Sequence, residues 1–425
     1  MKSIIVPTWN AGALIDDCLR SISVQLVTTD ELIVVDNASQ DGTPDRIATH
    51  YSNVRLLRLP ENLGFAGGVN RGLHAARGDE LILINQDVVL HDGCLKALSA
   101  QLAAGPAIVG GKLLYPDGVT VQHAGGLVRP PRAMADHFGY QQTDDGRWDE
   151  ARDVDYVTGA VFAFTRSVLD RIGALDEAFF PAYYEETDYC YRARAAGARV
   201  IYEPMAVAIH HESQSTDRHS KAYYRAIERG RLRFVLKNYK AEKLFGEFFP
   251  AELAAVRQID AAYAHDVSAP VYDDMLMNLP PLPPEQAVAI IESLRQLRAA
   301  AHCAAATYEV TMSTPLSPLD VPALREHEFH SSAPIVGSLI VKVRQALYSL
   351  TAKWPLRVAL DQQTRINQQL VQRLQQHEAL LREYEERLID QDHDLAHLSR
   401  VVAETDVRQR QLAKAVSVQS TTSES

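Results

Sequence analysis

Short apolar runs alternate with stretches of helical periodicity from the start of the chain to about residue 115. Each run suits a strand that is buried on both faces and is too short for a typical helix. Such alternation predicts a mostly parallel sheet covered by helices. The predicted strands are Ile4–Val6, Leu32–Val35, Val54–Leu59 and Leu81–Ile84, and the predicted helices include Ala13–Val24 and one that closes at Gly72–Ala76.

The pattern changes beyond residue 115, where Gly, Pro and charged residues predict loops and short strands as far as Asp155. Residues 241–335 combine helical patches with proline-rich turns, which predicts a helical accessory region after an α/β unit of residues 1–240. The other predicted elements are the strands Val157–Phe164, Val200–Tyr202 and Val207–Ile209 and the helices Arg166–Ile172 and 219–240.

Polar side chains stand directly after three of the predicted strands. Asp36 ends the second strand, Asn85-Gln86-Asp87 ends the fourth, and His210 ends the last. In open α/β sheets, ligands bind outside the carboxyl ends of the strands, and a carboxylate there can hold a divalent cation. The simpler interpretations are that each Asp starts a turn and that the histidine is structural. The pattern therefore predicts a ligand site only if these side chains converge.

Three acidic residues cluster at the start of another predicted helix. Glu185, Glu186 and Asp188 follow two tyrosines at the start of a helix that ends near Gly197. Helix capping and the macrodipole favour a carboxylate at such a position, which is the structural interpretation. Three carboxylates beside two tyrosines exceed what a cap requires. We therefore predict that this segment contributes a catalytic group.

Composition and charge exclude several classes of function. The net charge is −11 and no long basic stripe occurs in the first 330 residues, so nucleic acid is not an expected partner. The four cysteines show no zinc-like spacing and fit reduced thiols in the cytoplasm. We find no signal-peptide core and no apolar run near the ~20 residues of a membrane span. We expect a cytoplasmic protein, soluble or peripheral on a membrane.

The glycine-rich stretch Glu61–Gly72 also narrows the choice of ligand. Its glycines do not form a GxGxxG fingerprint and it has no Walker lysine, which excludes Rossmann cofactor and P-loop sites. Small residues that open a helix still let a phosphate or a sugar approach the backbone.

Taken together, the motifs resemble the family 2 glycosyltransferases of the GT-A fold, especially bacterial rhamnosyltransferase-like members. The resemblance covers residues 1 to about 240, which would form the GT-A nucleotide-diphospho-sugar transferase domain. The motifs occur in the order of the family and are Ser3–Asn10, Val34–Thr43, Asn62–Gly72, Asn85–Asp87, Tyr184–Asp188 and His210–Ser215.

The resemblance implies an inverting transfer of a sugar from a UDP- or dTDP-sugar to a hydroxyl of a cell-envelope glycan or lipid-linked oligosaccharide. It implies that Mg²⁺ or Mn²⁺ binds to Asp87, with His210 as a second ligand. Glu186 is the first choice for the base, with Asp188 in reserve and Glu185 as the remaining alternative. The implied donor-binding residues are Pro7, Thr8, Asn10, Asp36, Gly67, Asn70, Gln86 and Asp87.

Two departures from the family pattern keep a second hypothesis open. Asn85 stands where a DXD motif has its first Asp, and Glu186 stands where the family usually has Asp. An amide brings no charge to a cation, so we expect weak metal affinity, on the order of millimolar. The alternative is a non-catalytic scaffold or binding protein with a degenerate transferase domain and an oligomerising coiled coil.

The C-terminal part of the chain predicts contacts with other molecules. Residues 336–360 form a basic amphipathic pattern that suits an anionic membrane surface, and equally a helix packed on its own domain. Residues 361–416 carry a heptad repeat, which predicts a coiled coil that forms a homo-oligomer or binds a partner protein. Residues 417–425 are predicted to be a disordered tail.

Overall fold

The computed structural model describes residues 1–211 and 220–313, with side chains to residue 306. The predicted basic helix of residues 336–360, the coiled coil of residues 361–416 and the tail of residues 417–425 therefore lie outside the described residues. In the first half, strands and helices alternate as predicted. They are β1 (Lys2–Thr8), α1 (Leu14–Ser23), β2 (Glu31–Asp36), α2 (Thr43–His50), β3 (Val54–Arg58), α3 (Gly64–Ala75), β4 (Glu80–Ile84), β5 (Val88–Leu90), α4 (Cys94–Leu102) and β6 (Ala107–Leu114).

The second half begins with short strands and ends with helices. The strands are β7 (Thr120–His123), β8 (Gly126–Arg129), β9 (Met134–His137), β10 (Gln142–Thr143), β11 (Arg152–Asp153), β12 (Val161–Thr165) and β13 (Arg199–His210). A 3-10 turn spans Glu177–Phe179, and π-helical turns span Leu244–Phe248 and Ala264–Ser268. The helices are α5 (Arg166–Ile172), α6 (Glu185–Ala195), α7 (Lys221–Asn238), α8 (Ala241–Lys243), α9 (Phe249–Val256), α10 (Ala261–Tyr263), α11 (Ala269–Met277) and α12 (Pro284–Ser313).

The main sheet is parallel at one side and mixed at the other. Its order is β10-β7-β6-β12-β4-β1-β2-β3, and β1 to β4 pair in parallel. Strand β12 enters antiparallel between β4 and β6, and β13 runs parallel to β6. The predicted α/β class, a mostly parallel sheet between helices followed by a helical region, is confirmed.

Strand β13 differs from the sequence-based expectation. Val200–Tyr202 and Val207–Ile209 were predicted as two strands, but they are the two halves of one. The register against β6 shifts between Glu203 and Val207. Such a bulge bends a strand without ending it. The second half of β13 thereby pairs with β5 and places His210 opposite Val88.

Successive apolar side chains of a strand point to opposite faces of the sheet, so the sheet has a hydrophobic core on each face. On β1, Ile4 and Val6 pack with α1 and α4, whereas Ile5 packs with α3 and α6. The sheet is therefore the middle of three layers, as its continuous apolar strands predict.

The helices after residue 220 build a third core. It joins α7, α9, α11 and α12 to Phe179 and Tyr184 of the segment before α6. All described residues belong to one compact unit, and the domain boundary near residue 240 stays a prediction. Within residues 1–211 and 220–313, no helix is both long and apolar enough to cross a bilayer.

Candidate functional site

The carboxyl ends of β1, β2 and β4 meet at one edge of the sheet. Thr8 pairs with Asp36 across β1 and β2, and β4 runs beside β1 into Asn85-Gln86-Asp87. Parallel strands bring their carboxyl ends to the same edge, where open α/β sheets bind ligands. The structure thus brings together the predicted residues of the first, second and fourth strands.

Gln86 connects two of these strand ends. Its Oε1 accepts hydrogen bonds from Thr8 Oγ1 and from the Trp9 backbone N–H, each at 2.7 Å. Its Nε2 donates to the Trp9 carbonyl at 3.2 Å. The predicted donor-binding side chains of Thr8 and Gln86 are therefore engaged with each other, and they fix the loop that follows β1.

Asp36 presents an unsatisfied oxygen at the same edge. It is buried, and its Oδ2 accepts a hydrogen bond from the Ser39 N–H at 3.3 Å. Its Oδ1 has no hydrogen-bond partner in the part of the chain that the structure describes. A buried carboxylate oxygen without a donor is costly unless a ligand satisfies it. Asp36 is thus suited to accept hydrogen bonds from a bound molecule.

The loop after β1 is tied to the loop after β2. Pro7 lies within β1, beside Val35 of β2. Asn10 adopts a left-handed conformation with φ 49°. Its N–H donates to Ser39 Oγ and its Oδ1 accepts from the Gln40 N–H, both at 2.8 Å. This arrangement leaves Trp9 39% exposed above the two strand ends.

Gly67 and Asn70 face a different part of the molecule from the other predicted donor-binding residues. Asn70 Nδ2 donates to the Leu175 carbonyl at 2.9 Å, and its Oδ1 accepts from the Leu175 N–H at 3.1 Å. A Cβ on Gly67 would lie 3.8 Å from the carboxylate of Glu177. Asn70 therefore fastens α3 to the segment that leads into α6, and Gly67 lies where that segment passes close to the helix.

Asn37 holds the glycine-rich turn and was not singled out from the sequence. It is buried, donates from Nδ2 to the Gly64 carbonyl at 2.8 Å and accepts from the Leu63 N–H at 2.9 Å. An Asn directly after a strand is the only signal of this role in the sequence, because its partners lie 26 and 27 residues further along the chain.

Asp87 and His210 form the polar centre of the site. Both are buried, and His210 Nε2 lies 3.3 Å from Asp87 Oδ1. Burial raises the pKa of Asp87, but the hydrogen bond and the charge of His210 outweigh burial and hold that pKa below its usual value. The pairing of β5 with β13 brings the two residues together, and the His211 N–H also donates to the Asp87 carbonyl at 2.9 Å.

This pair has the chemistry of a partial site for a divalent cation. It offers one carboxylate and one imidazole, and the nearby Asn85 has a buried Oδ1 without a partner in the described residues. No group of three or more His, Cys, Asp or Glu residues suited to a metal occurs among residues 1–211 and 220–313. Mg²⁺-like ions are commonly held by few protein ligands, with phosphates and water completing the shell. The residues present therefore fit a weakly bound ion whose shell is completed by water or by the phosphates of a ligand.

The acidic helix α6 starts from a strained pair of tyrosines. Tyr183 and Tyr184 both have positive φ, at 86° and 72°. Tyr184 is buried; its hydroxyl donates to the Ala133 carbonyl at 2.9 Å and accepts from the Ala135 N–H at 3.0 Å. Left-handed conformations of non-glycine residues persist where the surroundings enforce them, often at functional sites.

Asp188 is committed to an ion-pair network. It is fully buried, accepts from Arg192 Nε and Asn238 Nδ2 at 2.8 Å each, and lies 2.9 Å from Lys237 Nζ. Three donors occupy its oxygens and hold the carboxylate in place. This environment suits a structural anchor between α6 and α7.

Glu185 and Glu186 have surroundings that favour proton uptake. Burial raises the pKa of Glu186 to about 7. Burial and the neighbouring charge of Glu186 raise the pKa of Glu185 well above its usual value. Glu185 Oε2 is buried without a partner among the described residues, whereas Glu186 keeps part of its surface exposed. A carboxyl group that titrates near neutral pH can act as a general base.

Tyr156 interacts electrostatically with the acidic helix α6. Burial and, after it, the charge of Glu186 raise the pKa of Tyr156 well above its usual value. The ring of Tyr156 lies 6.1 Å from that of His123. The preceding residue, Gln122, is bonded to His210 at 2.7 Å.

Comparisons with known proteins agree with this arrangement. Residues 3–173 match the family model "Glycosyl transferase family 2". The chain is 27% identical over 255 residues to N-acetylglucosaminyl-diphospho-decaprenol L-rhamnosyltransferase of Mycobacterium tuberculosis, covering 55% of this chain and 83% of that protein. It is also 27% identical over 268 residues to a Sinorhizobium fredii protein named y4gI, covering 60% of this chain but only 29% of that protein.

One solved structure shows a weaker similarity. The mannosyltransferase PcManGT of Pyrobaculum calidifontis, in complex with GDP-Man and Mn²⁺, aligns with 83% of this chain and 82% of its own. The sequence identity is 18% and the TM-score is 0.39, too low to support an argument about this chain. Residues 3–173 therefore carry the sequence pattern of the glycosyltransferase family 2, within the α/β architecture described above.

Proposed function

We propose that this chain transfers a sugar from a nucleotide-sugar donor, a UDP- or dTDP-sugar, to a hydroxyl of a cell-envelope glycan or lipid-linked oligosaccharide. The observation that carries the proposal is the pairing of Asp87 with His210 at the edge where β1, β2 and β4 end. The relative from Mycobacterium tuberculosis, whose name describes a lipid-linked acceptor and a rhamnosyl group, supports this class of substrate.

In this proposal, the nucleoside of the donor binds at the carboxyl ends of β1 and β2. Asp36 Oδ1, buried and unpaired in the described residues, accepts from the base or the ribose. The loop residues Pro7, Thr8 and Asn10 shape this part of the site, and Gln86 holds that loop in position. Gly67 and Asn70 act indirectly: Asn70 fastens the glycine-rich helix to the segment before α6, and Gly67 lets that segment pass close to the helix.

The diphosphate lies at Asp87 and His210, which would hold Mg²⁺ or Mn²⁺. Bound there, such a cation supplies Lewis-acid stabilisation of the negative charge on the departing nucleoside diphosphate. Asp87 would contribute a carboxylate that its lowered pKa keeps ionised, and His210 would contribute its Nε2 nitrogen.

A carboxylate of α6 removes the proton of the acceptor hydroxyl as that oxygen attacks the anomeric carbon. Glu186 is our choice, because its pKa of about 7 lets it be ionised and still basic near neutral pH. Asp188 is less suited, since Arg192, Lys237 and Asn238 already occupy it. Direct attack of the acceptor on the face opposite the leaving group gives inversion.

Two further proposals rest on the sequence alone. The basic segment 336–360 would bind the inner face of the cytoplasmic membrane, where a lipid-linked acceptor resides, and the heptad segment 361–416 would form a homo-oligomer. Both segments lie outside the described residues, so these partners stay predictions.

A thermal-shift screen of nucleotide-sugars tests the donor assignment. A ligand that binds only the folded chain stabilises it by mass action and so raises the melting temperature. At a ligand concentration one hundred times Kd, the free energy of unfolding increases by about 2.7 kcal/mol. We expect one UDP- or dTDP-sugar to stabilise the wild type and to lose that effect in Asp36→Asn. If no nucleotide-sugar shifts the wild type with Mn²⁺ present, the proposal is wrong.

A further inference from the structure

Gln122 occupies an irregular position in the sheet. Strand β7 pairs with β6 so that His123 lies opposite Leu113 and Val121 lies opposite Leu114. Gln122 is therefore an extra residue on β7, which makes this a β-bulge. Bulges occur beside active sites, where they redirect a side chain. The side chain that this bulge redirects is buried and contacts His210.

The contact between Gln122 and His210 fixes where the imidazole carries its hydrogen. Gln122 Oε1 lies 2.7 Å from His210 Nδ1. A carbonyl oxygen only accepts, so the hydrogen must be on Nδ1. In the neutral ring, Nε2 then carries a lone pair, which is the form that binds a metal ion.

Nε2 lies beside a carboxylate. His210 Nε2 lies 3.3 Å from Asp87 Oδ1, so two electron-pair donors face each other in a buried site. Positive charge between them, either a proton or a cation, is required for this contact to be favourable. Two ligands at right angles, each about 2.1 Å from an octahedral ion, are about 3 Å apart. The observed separation therefore suits a shared cation.

We propose that Gln122 is a positioning residue that holds His210 in the Nδ1–H tautomer, so that Nε2 is available to the cation. The inference rests on the proposed function, because that function assigns Asp87 and His210 to the metal. It adds a residue of β7 that neither the sequence motifs nor the family resemblance contains. Partners of this kind orient a metal-binding histidine and increase its basicity.

Mn²⁺ binding to the full chain, measured by electron paramagnetic resonance without donor or acceptor, tests this role. Gln122→Leu removes the acceptor and should weaken Mn²⁺ binding roughly 10- to 100-fold, the usual cost of losing such a partner. Gln122→Glu keeps an acceptor for Nδ1–H and should retain most of the affinity. Gln101→Leu is the matched control, because Gln101 bonds Glu203 in the bulged middle part of β13, away from His210.

The outcomes separate this inference from the proposed function. If Gln122→Leu folds and binds Mn²⁺ as the wild type does, Gln122 does not position His210 and only the inference fails. If wild type and control bind no Mn²⁺, the metal assignment and the inference both fail, and donor binding in the thermal-shift screen still decides the function.

A second measurement applies to the wild type even if Gln122→Leu does not fold. The ¹⁵N resonances of the His210 ring, identified by their absence in His210→Asn, report its tautomer directly. We expect hydrogen on Nδ1 and, with Mg²⁺ bound, no hydrogen on Nε2. Hydrogen on Nε2 alone would mean that the Gln122 amide is turned to donate, which would overturn the inference.

Discussion

At the scale of single residues, Glu186 and Asp188 show how surroundings divide carboxylates between tasks. They stand two positions apart on α6, yet Asp188 is locked by three donors, while burial leaves Glu186 with a pKa of about 7. The sequence motif identifies the acidic segment but not this division, because Lys237 and Asn238 come from α7, about fifty residues later.

Glu186→Gln tests the base. We expect turnover to fall about 10²- to 10⁴-fold, the usual contribution of general base catalysis, with donor binding unchanged. The measurement is steady-state transfer beside donor affinity from the thermal shift. Glu185→Gln is the matched control, since it removes the neighbouring carboxyl. Full turnover in Glu186→Gln would show that the base is another group.

The pH dependence of the wild type provides a second test. Glu186 acts only when ionised, so activity should rise with pH and level off above about 7. The stability of the folded chain should change with pH in the opposite direction to activity.

The folded state raises the pKa of Glu186 from its ordinary value of 4.5 to about 7. Between these two pH values the folded chain therefore binds a proton that the unfolded chain does not. Glu186→Gln should therefore be more stable relative to wild type at pH 8 than at pH 4 in thermal unfolding; no difference would contradict this environment.

At the scale of elements, the left-handed Tyr183-Tyr184 pair and the neighbouring helix α7 set the position of α6. Gly230 of α7 lies so close that a Cβ there would be 2.5 Å from the Tyr183 carbonyl oxygen. The backbone of Tyr183 must shift to accept any side chain at this position. The start of α6, with Glu185 and Glu186, would shift with it.

Gly230→Ala should therefore destabilise the chain by roughly 1–3 kcal/mol, the usual cost of overpacking, and also lower kcat more than it raises the donor KM. Denaturant unfolding and steady-state kinetics measure the two effects. Gly246→Ala is the control, because a Cβ at Gly246 meets nothing within 4 Å. Equal behaviour of the two variants would show that this packing does not position α6.

The elements themselves were largely predictable, and the exceptions have physical causes. Apolar runs predicted β1 to β4, and helical spacing predicted α1 and α5 with nearly their observed bounds. The join of two predicted strands into β13 was missed, because Glu203 and Pro204 interrupt the apolar run where the bulge begins. The Gln122 bulge was also missed, because a bulge depends on how the strand pairs with its neighbour and not on the sequence of one strand alone.

At the scale of the whole molecule, a buried ion-pair network connects the helical region to the hairpin beside the site. Arg231 of α7 is fully buried and donates to Glu252 of α9 at 2.6 Å. Arg132, between β8 and β9, and Tyr272 of α11 also donate to Glu252, each at 2.8 Å. The charges and hydrogen bonds of the arginines outweigh burial and lower the pKa of Glu252 to about 2.

Glu252→Ala should cost roughly 1–3 kcal/mol in urea unfolding at pH 7, because it removes one of the two carboxylates that pair with the buried Arg231 and leaves only Glu228. The exposed Glu247→Ala is the control and should change stability by less than about 0.5 kcal/mol. Since the folded pKa of Glu252 is lowered, its contribution is complete above about 4.5 and disappears as the pH falls towards 2. A cost no larger than that of Glu247→Ala would mean that the network does not hold the two regions together.

The overall arrangement was predictable only as far as local patterns reach. Alternating strands and helices predicted a parallel sheet, and the resemblance predicted its type. The antiparallel entry of β12 between β4 and β6 depends on chain crossings that no local pattern records. The contact between Asp87 and His210 follows the same rule, because both residues come after strands and strand ends in a sheet share an edge.

Release of nucleoside diphosphate from a nucleotide-sugar tests the central claim most directly. In the presence of Mn²⁺, the wild type should release UDP or dTDP slowly without acceptor and faster with a glycan or lipid-linked acceptor. Asp87→Asn, which keeps the shape but removes the charge beside His210, should lose most of this release and its response to Mn²⁺. Full release by Asp87→Asn with metal chelated would contradict the account.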